Sequence, residues 1–165
     1  MYRRIEDFLS DWQNESEGTI RVLSNLTDES LMQKSYEHGM TLGNLAWHLV
    51  TTIGEMIGKA DLAFSPTPHD QSEPKSAREI LEAYEYSSKA LVNAVKEQWN
   101  DDTLNEKKDM YGESWSVATI LKVLITHQIH HRGQMTILMR QAGLKVPGLY
   151  GPSREEWMAF SELSE

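Results

Sequence analysis

Apolar side chains recur at three- and four-residue intervals through four long stretches of the chain, the pattern of helices that bury one face. The first stretch covers about residues 3–24, and the second covers about 41–61. The third covers about 76–99, and the fourth covers about 116–142. A shorter helix is expected around 155–160. The sequence therefore predicts an all-α protein.

Proline, serine and glycine mark where the predicted helices begin and end. The prolines stand outside two long tracts in which helices can run without interruption, at positions 66, 68, 74, 147 and 152. Ser76 and Glu79 have the spacing of a capping box at the start of the third helix. Gly143 can end the fourth helix in the left-handed conformation. The segments between the predicted helices are three connections, 25–40, 62–75 and 100–114. None of them has the strict alternation of a strand, and the first has a possible helical turn.

Length and charge narrow the class of protein. The chain has 165 residues, which is the length of one domain, and we expect a single domain over 1–165. The net charge of -9 disfavours nucleic acid and anionic membranes as partners, because both would repel the chain at long range. The N-terminus lacks the apolar run of a secretory signal, and no stretch of about 18 apolar residues follows. These features predict a cytoplasmic protein.

The absence of cysteine restricts the chemistry further. It excludes disulfides, thiolate metal ligands and a cysteine nucleophile. A site for a soft metal ion must therefore use histidine.

His127 and His131 are the first indication of such a site. They are four residues apart in the fourth predicted helix, so both imidazoles can reach one ion. A helical wheel places both in the middle of an otherwise apolar stripe, where a buried ring needs a partner. A shared metal ion is one solution, and hydrogen-bonded core histidines without metal are the other. His130 lies off this stripe and is expected to flank the site.

His48 is the best candidate for a third ligand, which a zinc site usually requires. It shares a stripe of the second helix with four polar side chains, namely Thr41, Asn44, Thr52 and Glu55. That stripe is either an exposed face or the wall of a polar cleft between helices. His38 and His69 fall in predicted connections, and we assign them no role.

Three short motifs carry a family resemblance: NLAWH at 44–48, HQIHHRGQ at 127–134 and LKVP at 144–147. Together they resemble the DinB/YfiT-like family of metalloenzymes, over nearly the whole chain. The resemblance implies a four-helix bundle of up-down-down-up order, in which His48, His127 and His131 hold a divalent metal ion. The 62–75 connection is long enough to cross the bundle, since about 14 extended residues span roughly 45 Å.

The resemblance also implies an activity. Members of this family resemble enzymes that transfer a low-molecular-weight bacterial thiol, mycothiol or bacillithiol, to an electrophile. Three imidazoles leave an open position on the metal ion for water or a thiol. We therefore expect a metal-dependent thiol S-transferase, or a related hydrolase, that acts on a small molecule. Zinc or nickel is the favoured metal, although imidazole also suits copper and iron.

Other interpretations stay open at this point. The protein could be a non-catalytic metal-binding or stress-response module, in which the ion only ties the second helix to the fourth. Glu55 is a candidate general acid or base, with a plain surface carboxylate as the alternative. Tyr150 and Trp157 either cover the pocket mouth or pack ordinarily. Arg132 and Gln134 match the family pattern, and the alternative for Arg132 is a simple pair with an acidic neighbour on the surface. A homodimer is expected from family habit and from spare apolar residues such as Trp12 and Trp157.

Overall fold

The helices of the protein follow the order that the hydrophobic pattern predicts. A computed structural model describes residues 1–68 and 71–162. Within these ranges the chain forms five α-helices: α1 (Ile5–Leu23), α2 (Leu42–Gly58), α3 (Ala77–Gln98), α4 (Val117–Gln141) and α5 (Arg154–Glu162). Short 3-10 helices occupy Glu29–Met32 and Asp101–Asn105. The all-α prediction is confirmed, and Gly143 has the expected left-handed conformation after α4, with φ of 75°.

Contacts between helix ends show how the first three helices run. The backbone N–H of Ile5, at the start of α1, donates to Asp101 Oδ1 just past α3, at 2.8 Å. The two helices are therefore antiparallel. Gln98, the last residue of α3, is hydrogen-bonded to the backbone of Ala63, which follows α2. The carboxyl ends of α2 and α3 are thus adjacent, so these helices are parallel.

The fourth helix runs against the second. Gln128 of α4 is hydrogen-bonded to Leu49 of α2, while Leu138, further along α4, lies near the earlier Leu45 of α2. This antiparallel pair completes the up-down-down-up order of the resemblance, which is confirmed. The 62–75 connection carries the chain between the two parallel helices.

The core lies between the four long helices and includes Trp12. This side chain is fully buried, and its indole N–H donates to Ser88 Oγ at 3.0 Å. Trp12 is therefore not a spare apolar residue for an interface between copies, whereas Trp157 on α5 is exposed. None of the helices in the described part of the chain is both long and apolar enough to cross a membrane.

The 100–114 connection contains structure that the pattern did not indicate. Lys107–Met110 (β1) and Glu113–Ser116 (β2) pair as an antiparallel hairpin. Tyr111 and Gly112 form its two-residue turn with φ of 58° and 87°, the left-handed conformation that such turns require. The expectation of a connection without strands was wrong, because four-residue strands are too short to establish an alternating pattern.

The start of α3 is capped from a distant part of the chain. Ser76 is the N-cap residue, but its side chain makes no capping hydrogen bond, so the predicted capping box does not form. Instead, Asp28 Oδ1 accepts a hydrogen bond from the backbone N–H of Ala77 at 2.7 Å. A carboxylate at this position also suits the positive end of the helix dipole.

Candidate metal centre

The three histidines of the prediction meet at the contact between α2 and α4. His127 Nε2 lies 3.1 Å from His48 Nε2 and 3.1 Å from His131 Nε2. Each ring is partly buried, so solvent still reaches the group. The polar stripe of α2 that carries His48 therefore faces a cleft against α4, and the alternative of a freely exposed face is wrong.

The spacing of these nitrogens fits a shared metal ion. Two nitrogens that each lie about 2.1 Å from one ion are roughly 3.0 to 3.4 Å apart at octahedral or tetrahedral angles. The observed separations of 3.1 Å fall within that interval. In the part of the chain that the structure describes, these three side chains form a group whose ligand atoms all lie within 4.8 Å of one another. They could hold one ion.

The outer nitrogens of the three rings have different surroundings. His131 Nδ1 lies 2.7 Å from Gln134 Oε1, a contact that suits a proton on Nδ1 and leaves the lone pair of Nε2 towards the group. His48 Nδ1 has a longer contact, 3.4 Å, with Thr52 Oγ1. His127 Nδ1 is buried and has no hydrogen-bond partner within residues 1–68 and 71–162. One ring is thus oriented by a partner, and another is held by packing alone.

Burial keeps the imidazoles neutral. Loss of solvation, together with the neighbouring His131 and His48, lowers the pKa of His127 to about 4. Loss of solvation is also the largest cause of the lowered pKa of His48 and of His131. All three rings are therefore uncharged near neutral pH, which is the form that binds a metal ion.

Gln128 joins the two helices directly beside the histidines. It is fully buried, its side-chain N–H donates to the Leu49 carbonyl at 3.0 Å, and its side-chain oxygen accepts from Tyr84 Oη at 3.1 Å. Gln128 follows His127 in the chain, and Leu49 follows His48. This hydrogen bond therefore connects the backbones that carry two of the three rings.

Arg132 belongs to a second polar cluster, on the side of α4 that faces α1. Its side chain is only 2% exposed and pairs with the carboxylate of Glu15. Nη1 also donates to the Glu15 carbonyl at 2.7 Å and to Thr19 Oγ1 at 3.1 Å, and Nη2 donates to Tyr150 Oη at 2.6 Å. A Cβ on Gly18 would lie 3.1 Å from this guanidinium. The predicted acidic partner is present, but its predicted place on the surface was wrong.

The buried face of α4 differs from the stripe that the helical wheel predicts. The buried stripe holds Gln128 and Arg132, whereas His127 and His131 lie at its edge and Gln134 is exposed. The signal for the correct stripe was the heptad-like spacing of its buried members, Leu121, Leu124, Gln128, Arg132, Met135 and Met139. Two polar residues in that series concealed it.

Glu55 takes part in a different contact from the one expected. It is partly buried, and its Oε1 accepts a hydrogen bond from Tyr111 Oη at 2.9 Å, so it anchors the hairpin turn to α2. Lys59 Nζ lies 5.0 Å from the centre of the Tyr111 ring on the same side. The charge of Glu55 only partly offsets the lowering of the pKa of His48 by burial and by His131, and Glu55 is not among the three ligand groups.

The remaining predicted residues are easily placed. His130 is exposed with its ring 4.8 Å from that of His131, which confirms its flanking position. His38 is exposed in its connection, and His69 lies outside the described residues. Tyr150 packs against Arg132 and Glu15, so the packing alternative describes it.

Comparison with known proteins gives a consistent result. The DinB family matches the chain over residues 1–163. The uncharacterized protein YrdA of Bacillus subtilis strain 168 is 46% identical over 160 residues, which cover 97% of this chain and 96% of YrdA.

Two solved structures share the architecture. The crystal structure of a DinB-like protein from Bacillus cereus ATCC 10987 has a TM-score of 0.88 and 44% identity, and covers 91% of this chain and 100% of that one. The DinB-like protein YjoA of Bacillus subtilis has a TM-score of 0.70 with 18% identity, and covers 90% of this chain and 99% of that one. The second supports the fold alone.

Proposed function

This chain belongs to the DinB family, and from that premise we propose that it is a divalent-metal-dependent enzyme that transfers a low-molecular-weight thiol to a small electrophile. The observation that carries the proposal is the convergence of three neutral imidazole nitrogens, one from α2 and two from α4. Zinc or nickel is the metal we expect. Activation of water for hydrolysis is the closest variant of the same chemistry.

The residues of the site would divide the work as follows. His48, His127 and His131 would hold the ion, and Gln134 would keep the ring of His131 in the ligating tautomer. A divalent ion so held lowers the pKa of a water or thiol and supplies a nucleophile at neutral pH. Because the rings are only partly buried, a small cosubstrate has access to the open side.

The sulfur must come from outside the chain, since the protein contains no cysteine. A thiol cosubstrate such as bacillithiol or mycothiol would meet this need, and we place the protein in the cytoplasm, where thiols are kept reduced. Glu55 is hydrogen-bonded to Tyr111, so we do not assign it the role of general base.

Metal analysis tests the first half of the proposal. The purified protein is expected to bind close to one equivalent of zinc or nickel, and His48→Ala and His127→Ala are expected to lose it. His130→Ala is the matched control, because this exposed neighbour lies outside the ligand group. Metal content that is the same in all four proteins would contradict the proposed ligands.

A conjugation assay tests the second half. The metal-loaded protein is incubated with bacillithiol or mycothiol and the reactive electrophile monochlorobimane, and thioether formation is followed by fluorescence. We expect turnover that His127→Ala removes and His130→Ala retains. If metal binds but no thiol turns over, the ion serves as a tether between α2 and α4, and the transferase proposal is wrong.

A further inference from the structure

An apolar cleft lies beside the histidine centre, between the 25–40 connection and the end of α4. Its volume is about 430 Å³, which is within the range of small-molecule pockets. Leu45 and Leu138 form buried walls, while Tyr36, Met40 and Ile137 lie exposed at its rim. Exposed side chains of this size around one concavity indicate a binding site more readily than a scatter of surface residues would.

The cleft adjoins the histidine centre through Gln134. Leu45 lies one helical turn before His48, and Gln134 lies one turn after His131. Because α2 and α4 are antiparallel, both residues lie on the same side of the centre. Gln134 lines the cleft and also contacts His131 Nδ1 at 2.7 Å, so a molecule in the cleft would touch a residue that orients the centre.

The lining indicates the chemistry of the occupant. The residues of the described chain that line the cleft include no Asp, Glu, Lys, Arg or His. A charged ligand would therefore lose its hydration without gaining an opposite charge. Ser35, Tyr36 and Gln134 offer hydroxyl and amide groups for one or two hydrogen bonds. The methionine sulfur and the tyrosine ring are favourable neighbours for an aromatic ring.

The opposite side of the centre has a different character. There, Glu55 and Lys59 approach the Tyr111 ring from α2, which makes a charged surface. The two approaches to the histidines are thus chemically distinct. Of these two, the side with Leu45 suits an apolar group and the side with Glu55 does not.

We propose that this cleft binds the apolar part of the electrophilic substrate, an uncharged molecule with a flat aromatic ring and a hydrogen-bonding substituent. The claim that the bound molecule is a substrate rests on the proposed function. Binding of such a molecule to the cleft is expected whether or not a metal ion is present. The chemical class follows from the uncharged lining, and the assignment to the reaction follows from the shared Gln134.

Binding of 1,3-dinitrobenzene, an uncharged arene without a leaving group, tests the proposal. The EDTA-treated full chain is labelled at Ile, Leu and Met methyl groups, and the probe is titrated by NMR. We expect saturable shifts at Leu45, Leu138, Ile137 and Met40. Tyr36→Ala is expected to raise the dissociation constant about tenfold, corresponding to about 1.4 kcal/mol. The matched control, Tyr86→Ala, replaces a tyrosine of similar exposure on α3, 57% against 65%, and is expected to have no effect.

Other outcomes would overturn the proposal. Absence of shifts up to the solubility limit of the probe would do so, and so would equal weakening by Tyr36→Ala and Tyr86→Ala. Shifts of the same methyl groups with protein concentration, without the probe, would identify the cleft as a contact between copies instead. Ile137→Glu serves as a second variant, since an exposed helix position tolerates it and the added charge should weaken binding at least tenfold.

The His127→Ala variant separates this proposal from the proposed function. If it loses metal but binds the arene as the unchanged chain does, the cleft and the metal centre are both supported. If neither protein takes up metal while both bind the arene, the metal proposal is wrong and the cleft stands. If metal binds and the arene does not, the cleft assignment is wrong.

Discussion

His131 and Arg132 are adjacent on α4, yet they belong to polar clusters of opposite kinds. Arg132 faces α1, where its guanidinium meets the Glu15 carboxylate, the Thr19 hydroxyl and the Tyr150 hydroxyl. Donors and acceptors are matched within the chain. His131 faces α2, where its ring centre lies 4.7 Å from that of His48, and its Nε2 lies 3.1 Å from His127 Nε2. Like groups cannot all satisfy one another, because a neutral imidazole nitrogen either donates or accepts.

The difference separates a structural role from a binding role. A buried cluster that contains its own counter-charge is complete when the chain folds. Removal of one of its members costs a large part of the free energy of unfolding. A cluster of neutral, lone-pair-bearing rings contains no counter-charge of its own, and under the proposed function a metal ion would complete it. Mutations in the Arg132 cluster should therefore change the free energy of unfolding. Mutations in the histidine cluster should instead change how the protein responds to added metal ions.

Arg132→Met tests this contrast with the largest expected effect. Glu15 would lose its counter-charge, and removal of one member of a buried ion pair costs about 3 to 5 kcal/mol of the free energy of unfolding. Urea denaturation measures the loss. Arg78→Met, in an exposed pair with Glu82, is the matched control and should cost less than about 1 kcal/mol. Equal losses in both variants would remove the distinction between the clusters.

Added metal should have the next largest effect. At a free zinc concentration about a hundred times the dissociation constant, binding raises the free energy of unfolding by about 2.7 kcal/mol. His127→Ala should abolish this gain, whereas Arg78→Met should keep it, as thermal or urea unfolding with and without zinc will show. A gain that persists in His127→Ala would mean that the ion binds elsewhere.

The pH dependence of the metal-free protein should be smaller. The pKa of His127 is lowered from 6.5 to about 4, so the unfolded chain binds the proton more tightly than the folded one. Stability is therefore retained above pH 6.5 and decreases as the pH falls towards 4. Because the ring is only partly buried, we expect a loss on the order of 1 kcal/mol. Urea unfolding of the unchanged chain and His127→Gln at several pH values measures it, and parallel profiles would contradict this origin.

Tyr150→Phe should have the smallest effect. It removes hydrogen bonds to Arg132 and Glu15 at the edge of the matched cluster, where about 0.5 kcal/mol is expected. Amide hydrogen exchange should increase in residues 144–160, because Tyr150 ties this segment to α1. Tyr86→Phe on α3 is the control. Unchanged exchange in Tyr150→Phe would show that other contacts hold the segment.

The fold was largely predictable because local periodicity reports which helix face is buried. The predicted first helix, 3–24, and third helix, 76–99, each end within two residues of the observed bounds. Caps and hairpins depend on less regular signals. The Asp28 carboxylate that caps α3 is 49 residues from its partner, and no local pattern could indicate that contact.

The candidate site was predictable only in part. The wheel of α2 left His48 on a polar stripe but could not say which neighbour that stripe meets. The wheel of α4 gave the wrong centre because Gln128 and Arg132 are polar residue types, and the partners that satisfy them inside the protein lie on other helices. In both cases the missing information is the packing of one helix on another.

Under the proposed function, the hydrogen bond between Gln128 and Leu49 has a consequence for how fast the metal ion would exchange. These residues directly follow His127 and His48 in the chain. The hydrogen bond between them therefore fixes the distance between the backbone segments that carry the two imidazoles. The ligands would then be preorganised, so that binding of an ion would cost the chain little conformational entropy. Uptake and release should therefore be rapid and reversible, without the coupled refolding that governs metal exchange in zinc fingers.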